Sequence, residues 1–264
     1  MTKKSILTII VILGAVCAKA QTNLQVFYDF GGDRKHVTTT LEGFYGDKWG
    51  NTFFFVDYDY ASKDPDGKVC APNGTYFEIA RCLNFWKGSR LAPLSLHVEY
   101  NGGAYNGYTI NNAFLFGLDY FIHSPDYKNT FNIKALYKTI NYAKGKNLDG
   151  SKKRSDLPLQ FTLVWGLKDL FGLNGLSFSG FADFWWEDHT VCPYIKDESK
   201  GYRDWSKAKD SKFVFLSEPQ LWYNVGRHIG VTNLNVGAEL ELSYDFGTGK
   251  GFFARPCLGL KWEF

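Results

Sequence analysis

The chain has 264 residues, 18% of them aromatic and 27 of them glycine, with a formal net charge of +3. Lys3, Lys4 and Lys19 account for that surplus, so the rest of the chain is neutral and carries no charge excess to attract nucleic acid. Past residue 20, no apolar run approaches the roughly 20 residues that a membrane helix needs. That excludes helical spans but not a β-barrel, whose strands expose only alternate residues to lipid.

Residues 1–20 read as a cleaved secretory signal. Lys3 and Lys4 give a positive start, Ile6 to Val16 an apolar stretch, and Ala18-Lys19-Ala20 a small-x-small cleavage site, leaving 21–264 as the mature domain. Cys17 would suit a lipid anchor, but Val16 is a poor residue to precede one and the downstream site is good. Export permits disulfides among Cys70, Cys82, Cys192 and Cys257. Cys70 and Cys192 fall in long loops and are the expected pair; Cys82 and Cys257 fall within strands and are expected to be unpaired. No cysteine spacing resembles a metal site, and neither metal nor cofactor is expected.

Twelve strand-like runs follow, with no helical period. The first, 23–30, alternates Leu24, Val26, Tyr28 and Phe30 with Gln25, Phe27 and Asp29. A Gly-Gly-Asp turn leads to 36–46, where Thr38, Thr40, Glu42 and Phe44 share the polar parity. Next come 51–60, 75–86, 93–101 and 110–122, then 130–139, 158–168, 175–187, 212–224, 233–246 and 251–264. The run 233–246 sets Leu234, Val236, Ala238, Leu240 and Leu242 against Asn235, Gly237, Glu239, Glu241 and Ser243. A one-residue slip would carry carboxylates to the apolar face, so register is strongly specified. Arg81 sits on the apolar parity of its strand, which predicts a bulge or an interfacial position, and Pro219 predicts a bulge in 212–224.

Short connections follow even-numbered strands, whereas the long ones, 61–74, 102–109, 140–157 and 188–211, follow odd-numbered ones. That asymmetry is expected of an outer-membrane barrel and puts both termini at the periplasmic end. Aromatics gather at both strand ends: Tyr28, Phe30, Tyr58, Tyr60, Tyr100, Tyr137, Trp186, Tyr244 and Phe246 toward the long loops, and Tyr45, Trp49, Trp86, Tyr120, Tyr223, Trp262 and Phe264 toward the short turns. The last strand keeps Leu258, Leu260, Trp262 and Phe264 on one face, and its terminal aromatic residue resembles the C-terminal signature of bacterial outer-membrane β-barrels. The fold class expected is therefore all-β: a 12-stranded antiparallel transmembrane barrel in the bacterial outer membrane.

The polar parity lists what would line the interior. Carboxylates far outnumber bases there, with Asp29, Glu42, Asp57, Asp59, Glu78, Glu99, Asp119, Asp183, Glu187, Glu218, Glu239, Glu241, Asp245 and Glu263 against Lys134, Lys138, Lys168, Arg255 and Lys261. Phe27, Phe44, Phe53, Phe55, Phe181, Trp185, Trp222 and Phe253 share that face. Two readings stay open. The barrel is either closed by salt bridges and aromatic filler, or a narrow channel whose rings stack on flat polar solutes while carboxylates accept their hydrogen bonds. Arg255 and Lys261 are expected to oppose the acidic row Glu239, Glu241 and Asp245.

Three blocks carry a family resemblance. The run VFYDFGGDRKHVTTTLEGFYGDKWGNTFFFVDYDY (26–60) resembles the opening of the Tsx-like nucleoside-channel family, with a TxLE strand, an acidic-Lys-Trp turn and an aromatic strand ending in Asp. GTYFEIARCLNF (74–85) and DLPLQFTLVWGLKDLFGLNGLSFSGFADFWWED (156–188) are similar to its aromatic-Glu-Ile strand and its later paired strands. The chain resembles still more closely a Bacteroidetes group of secreted barrels, for which a fold is implied and a substrate is not. The resemblance implies twelve strands and passage of nucleosides or similar solutes, with Phe27, Glu42, Phe53, Phe55, Asp57, Glu78, Phe181, Asp183 and Trp185 as lumen residues. To these the charged final wall adds Glu239, Glu241 and Arg255 as candidate solute contacts.

No enzyme is expected. Of five histidines only Ser95-x-His97-x-Glu99 puts nucleophile, base and acid on one strand face, and residues two apart on a strand lie about 6.5–7 Å apart, too far for a nucleophile–base hydrogen bond. The Lys-rich loop of Lys144, Lys146, Lys152, Lys153 and Arg154 is either a solvated loop or a contact for lipopolysaccharide phosphate. Expected partners are outer-membrane lipid and lipopolysaccharide, a small polar solute and the barrel-assembly machinery, for a monomeric chain.

Overall fold

The computed structural model describes residues 20–61, 71–106 and 108–264. Of the expected signal only Ala20 is among them, and Cys70 lies outside them. The strands are β1 (Ala20–Asp29), β2 (Val37–Asp47), β3 (Gly50–Ala61), β4 (Ala71–Leu83), β5 (Leu94–Tyr105), β6 (Tyr108–His123) and β7 (Asn129–Ile140). They continue with β8 (Leu159–Lys168), β9 (Leu176–Val191), β10 (Lys209–Ser217), β11 (Gln220–Tyr223), β12 (Leu234–Tyr244) and β13 (Phe252–Glu263). All pairings between these strands are antiparallel. β10 and β11 are two halves of one stave, since both lie between β9 and β12. β13 pairs with β12 on one side and β1 on the other, which closes the sheet into a twelve-stranded barrel.

Alternation decides which residues face which way. Along β13 and β1 the outward set is exposed, with Leu258 at 60% and Val26 at 40%, while inward Gln25 and Arg255 are 1% and 3% exposed. Apolar groups outside and charged groups inside invert the arrangement of a water-soluble domain. A barrel wall that faces hydrocarbon requires that inversion. Cross-strand register holds it in place: Leu234, Val236 and Ala238 stand opposite Trp262, Leu260 and Leu258, all on the outer face.

One aromatic pair fills the interior where the last staves meet the first. Trp222 is fully buried, and its ring lies 5.5 Å from that of Phe27 with Lys261 above it at 4.6 Å. The rings fit because the paired residues beside them are Gly237 and Gly259. A Cβ on Gly237 would stand 2.4 Å from the indole, and one on Gly259 2.6 Å from the Phe27 ring.

Several expectations are corrected. Of the two positions expected for Arg81 the interfacial one holds: it stays in register and reaches the short-turn rim, where it bonds Asp47 at 2.8 Å and Thr52 at 3.1 Å. Pro219 interrupts the ladder without shifting it, because Ser217 and Gln220 keep matched spacing on both neighbouring strands. The register shift against β9 lies instead between Ser211 and Phe213, where β9 carries the extra residue. The segment 102–109 is no long loop, for β5 and β6 pair as far as Tyr105 and Tyr108. Phe246 leaves the outer belt and meets inward Trp185, their rings 6.4 Å apart. Lys261 faces Trp222 and stands across the β12–β13 ladder from Asn235 rather than from the acidic row. Cys192 is a buried free thiol, and Cys82 and Cys257 are unpaired as expected.

Substituting Gly237→Val should lower the stability of the detergent-folded barrel by about 1–3 kcal/mol, the usual cost of overpacking. Gly46→Ala, where an added Cβ meets nothing within 4 Å, should change it by less than about 0.5 kcal/mol. Urea midpoints followed by the loss of heat-modifiable gel mobility compare the two.

Candidate functional site in the barrel lumen

The interior divides into three zones along the axis. At the short-turn end a cavity of about 280 Å³ is lined by Asn23, Glu42, Phe44, Lys168, Lys261 and Glu263, among others. Glu42 accepts from Asn23 Nδ2 at 2.9 Å, so one wall of this mouth is already hydrogen-bonded. The Phe27–Trp222 pair narrows the lumen beyond it.

The middle zone holds most of the expected solute contacts. On β3 and β4, Phe53, Phe55 and Tyr76 form an inward ring ladder with centroid spacings of 6.1 and 5.8 Å. Tyr76 donates to Glu78 at 2.5 Å, and Asp57 accepts from Thr40 at 2.5 Å. On the far wall Trp185 lies under the Lys138 ammonium at 4.0 Å and donates to Glu187 at 2.7 Å. Asp183 Oδ1 is buried there with no hydrogen-bond partner among the described residues. Gln220 and Glu239 complete the zone, joined at 2.6 Å. The arrangement offers acceptors and ring faces to a flat polar molecule and few positive groups.

The long-loop end is latched by arginine. The turn after β1 bends inward because Asp29 Oδ1 accepts from the Gly31 amide at 2.6 Å, an Asx turn. This carries Asp33 and Arg34 into the mouth. Arg255 grips Asp33 with Nε at 2.8 Å and Nη2 at 2.7 Å, a bidentate pair, while its Nη1 bonds Glu241. Arg34 also bonds Glu241, and Arg203 of the 192–208 loop reaches Asp33 at 2.7 Å. Burial alone would raise the Asp33 carboxyl, but hydrogen bonds and charge from Arg255 and Arg203 outweigh it and hold it well below the usual carboxylate range.

The candidate residues therefore separate. Phe53, Phe55, Asp57 and Glu78 share one wall of the middle zone, and Asp183 and Trp185, from one strand, share the wall across from it. Glu239 lies beside Gln220, Phe181 is half-buried on β9, Glu42 lines the short-turn mouth, Phe27 belongs to the filler, and Glu241 and Arg255 belong to the latch. Sequence reasoning missed Tyr76, Asp33, Arg34 and Arg203. Tyr76 carried a signal, the parity of Glu78; the other three are loop or turn residues whose only sign was charge. His97 bonds Glu99 at 2.8 Å through one ring nitrogen and faces Cys82 through the other, which leaves none for Ser95.

A closed antiparallel barrel with an apolar outer wall and a charged interior has the architecture of outer-membrane barrels. Residues 20–264 match the family model described as a domain of unknown function (DUF5020), and the chain belongs to that family. No curated protein matches it in sequence. Among solved structures it is similar to the NanC porin, with a TM-score of 0.53 and 10% identity over 92% of this chain and 100% of that one. It is also similar to the KdgM porin (TM-score 0.46, 9% identity, 92% and 99% covered) and to outer membrane phospholipase A from Escherichia coli (0.48, 11%, 92% and 96%). At such identities the likeness is one of fold.

Asp33→Asn removes one partner from a buried charge network and should destabilise the barrel by about 3 kcal/mol at neutral pH. Because the native Asp33 pKa lies below that of the unfolded chain, its contribution is fully present above the ordinary carboxylate range and is lost as pH falls through the native value. The stability gap between wild type and Asp33→Asn should be flat from pH 8 to about 5 and shrink below about pH 4. Urea titrations at stepped pH measure it.

Proposed function

We propose that the protein is an outer-membrane channel for passive uptake of small polar solutes of the nucleoside type. The observation that carries this reading is the middle zone, where the Phe53–Phe55–Tyr76 ring ladder stands beside carboxylates and an unpartnered Asp183 oxygen. Aromatic faces stack on a base or sugar, and carboxylates accept from its hydroxyls and exocyclic amines. The porin-type fold and the Tsx-like motifs support the same direction. In this reading residues 1–20 are removed on export, the short turns and both termini face the periplasm, and the chain acts as a monomer assembled by the barrel machinery. The surplus of lumen carboxylates disfavours anions.

The buried Trp222 and the arginine latch favour a second reading, a closed barrel whose long loops are the working surface. Planar-bilayer recording decides between them. The channel reading expects discrete conductance steps that prefer cations and are blocked by nucleosides at sub-millimolar concentration; a protein that never conducts belongs to the second. Ring stacking is worth about 1–3 kcal/mol per base. Replacing both Phe53 and Phe55 with Ala should therefore weaken nucleoside block by about tenfold or more while leaving open-channel conductance equal or higher.

A further inference from the structure

On the wall opposite the Phe27–Trp222 pair, three side chains from three adjacent strands converge near the short-turn end. Cys82 of β4 stands directly opposite His97 of β5, and Asp119 of β6 lies diagonally beyond it. Cys82 Sγ is 3.3 Å from His97 Nδ1 and 3.3 Å from Asp119 Oδ2, and the three atoms lie within 4.8 Å of one another. All three residues are buried, at 4%, 1% and 3% exposure.

Hydrogen bonding alone fits this cluster poorly. Glu99 Oε2 sits 2.8 Å from His97 Nε2 and holds that nitrogen as the protonated one. In the neutral imidazole Nδ1 then presents a lone pair, and Asp119 Oδ2 presents another. The Cys82 thiol has one proton for two acceptors. Atoms of sulfur, nitrogen and oxygen type that can each offer a lone pair thus lie within 4.8 Å of one another.

A cation bound among the three resolves the mismatch. With metal–sulfur bonds of about 2.3 Å and metal–nitrogen or –oxygen bonds of about 2.0–2.2 Å, the edges of a tetrahedral site that run to sulfur are about 3.5–3.7 Å. The two sulfur edges here, 3.3 Å each, fall a few tenths of an ångström short of it, so an ion would enter with a small outward shift of the ligands. The surroundings also have the form of a second coordination shell. Glu99 buttresses the histidine, and Asn132 Nδ2 donates to Asp119 Oδ1 at 2.7 Å, leaving Oδ2 free to ligate. Charge closes as well: a thiolate and a carboxylate neutralise a divalent ion, while Lys134, which interacts electrostatically with Glu99 first and then with Asp119 and Cys82, offsets the remaining carboxylate.

We propose that Cys82, His97 and Asp119 bind one divalent transition-metal ion of the zinc class, with water or a lumen solute as fourth ligand. Binding releases the thiol proton to solvent. The ion would staple β4, β5 and β6 together on the wall of the proposed permeation path, but the site does not depend on what the channel carries.

Cobalt reports the site directly. Titrating Co²⁺ into the reduced, detergent-folded barrel should give a thiolate-to-cobalt charge-transfer band in the near ultraviolet that saturates at about one ion per chain, as a single site requires, and is displaced by Zn²⁺. Cys82→Ser should abolish the band and Asp119→Asn should weaken binding, while Cys192→Ser and Cys257→Ser leave it intact. Glu99→Gln, a positioning change, should weaken affinity about 10–100-fold. Heat-modifiable mobility identifies variants that have folded, and alkylation of Cys82 with and without Zn²⁺ gives a second readout on the unaltered chain. No band, a band that survives Cys82→Ser, or Cys82 alkylation that Zn²⁺ does not slow would overturn the proposal. A metal-free cluster in which a doubly protonated His97 donates to Cys82 would give no band and no slowing of alkylation by Zn²⁺; a band that survives Cys82→Ser would place the ion elsewhere.

Discussion

Closure of the sheet through β13 is the constraint on which everything else depends. A single strand must satisfy the ladder of β12 and that of β1 at once, and both registers must keep the same face inward. The period of two leaves only even slips, and the Gly237–Gly259 pair removes those, since only that alignment gives the Trp222 and Phe27 rings room. The apolar wall and the aromatic filler are thus two consequences of one register. A barrel closed in this way has no unpaired edge to template aggregation.

Closure also turns inward-facing charge into a structural problem. Arg255 lies on the closing strand itself, 3% exposed, and a buried guanidinium is costly unless its donors are met. Its own neighbour Glu241 meets part of that demand, and the turn after β1 supplies the rest by folding Asp33 into the mouth. The narrowing at the long-loop end follows from neutralising the seam. It is not an added lid but the price of placing an arginine where the barrel closes.

The strands were legible because alternation is a local property. Every one of the twelve expected runs became a stave; β5, β6 and β9 continue past the point at which their apolar periodicity fades, and β4 is displaced toward the long-loop end, starting at Ala71 and stopping at Leu83. Backbone pairing can carry a strand beyond its lipid-facing length, so hydrophobicity underestimates it. Lumen parity was legible for the same reason, and placed Phe53, Phe55, Asp57, Glu78, Asp183 and Trp185 inward. Which of these residues meet was not legible. Contacts such as Arg34 with Glu241, or Cys82 with Asp119, join residues far apart in the chain and depend on stagger between strands, which alternation does not encode.

Cysteine shows that limit most sharply. Metal sites are recognised in sequence by close spacing of ligands within a turn or a helix, and Cys82, His97 and Asp119 have none. In a barrel the relevant spacing runs across strands, where neighbours lie about 4.7–4.9 Å apart whatever their separation in the chain. A ligand set built that way costs little conformational entropy to assemble, because the ladder has already fixed each backbone. The same logic applies to the Phe53–Phe55–Tyr76 ladder and to the Lys138–Trp185 contact on the far wall. A lumen of this kind therefore concentrates its side-chain contacts in rows that run across strands, and only the closed register creates them.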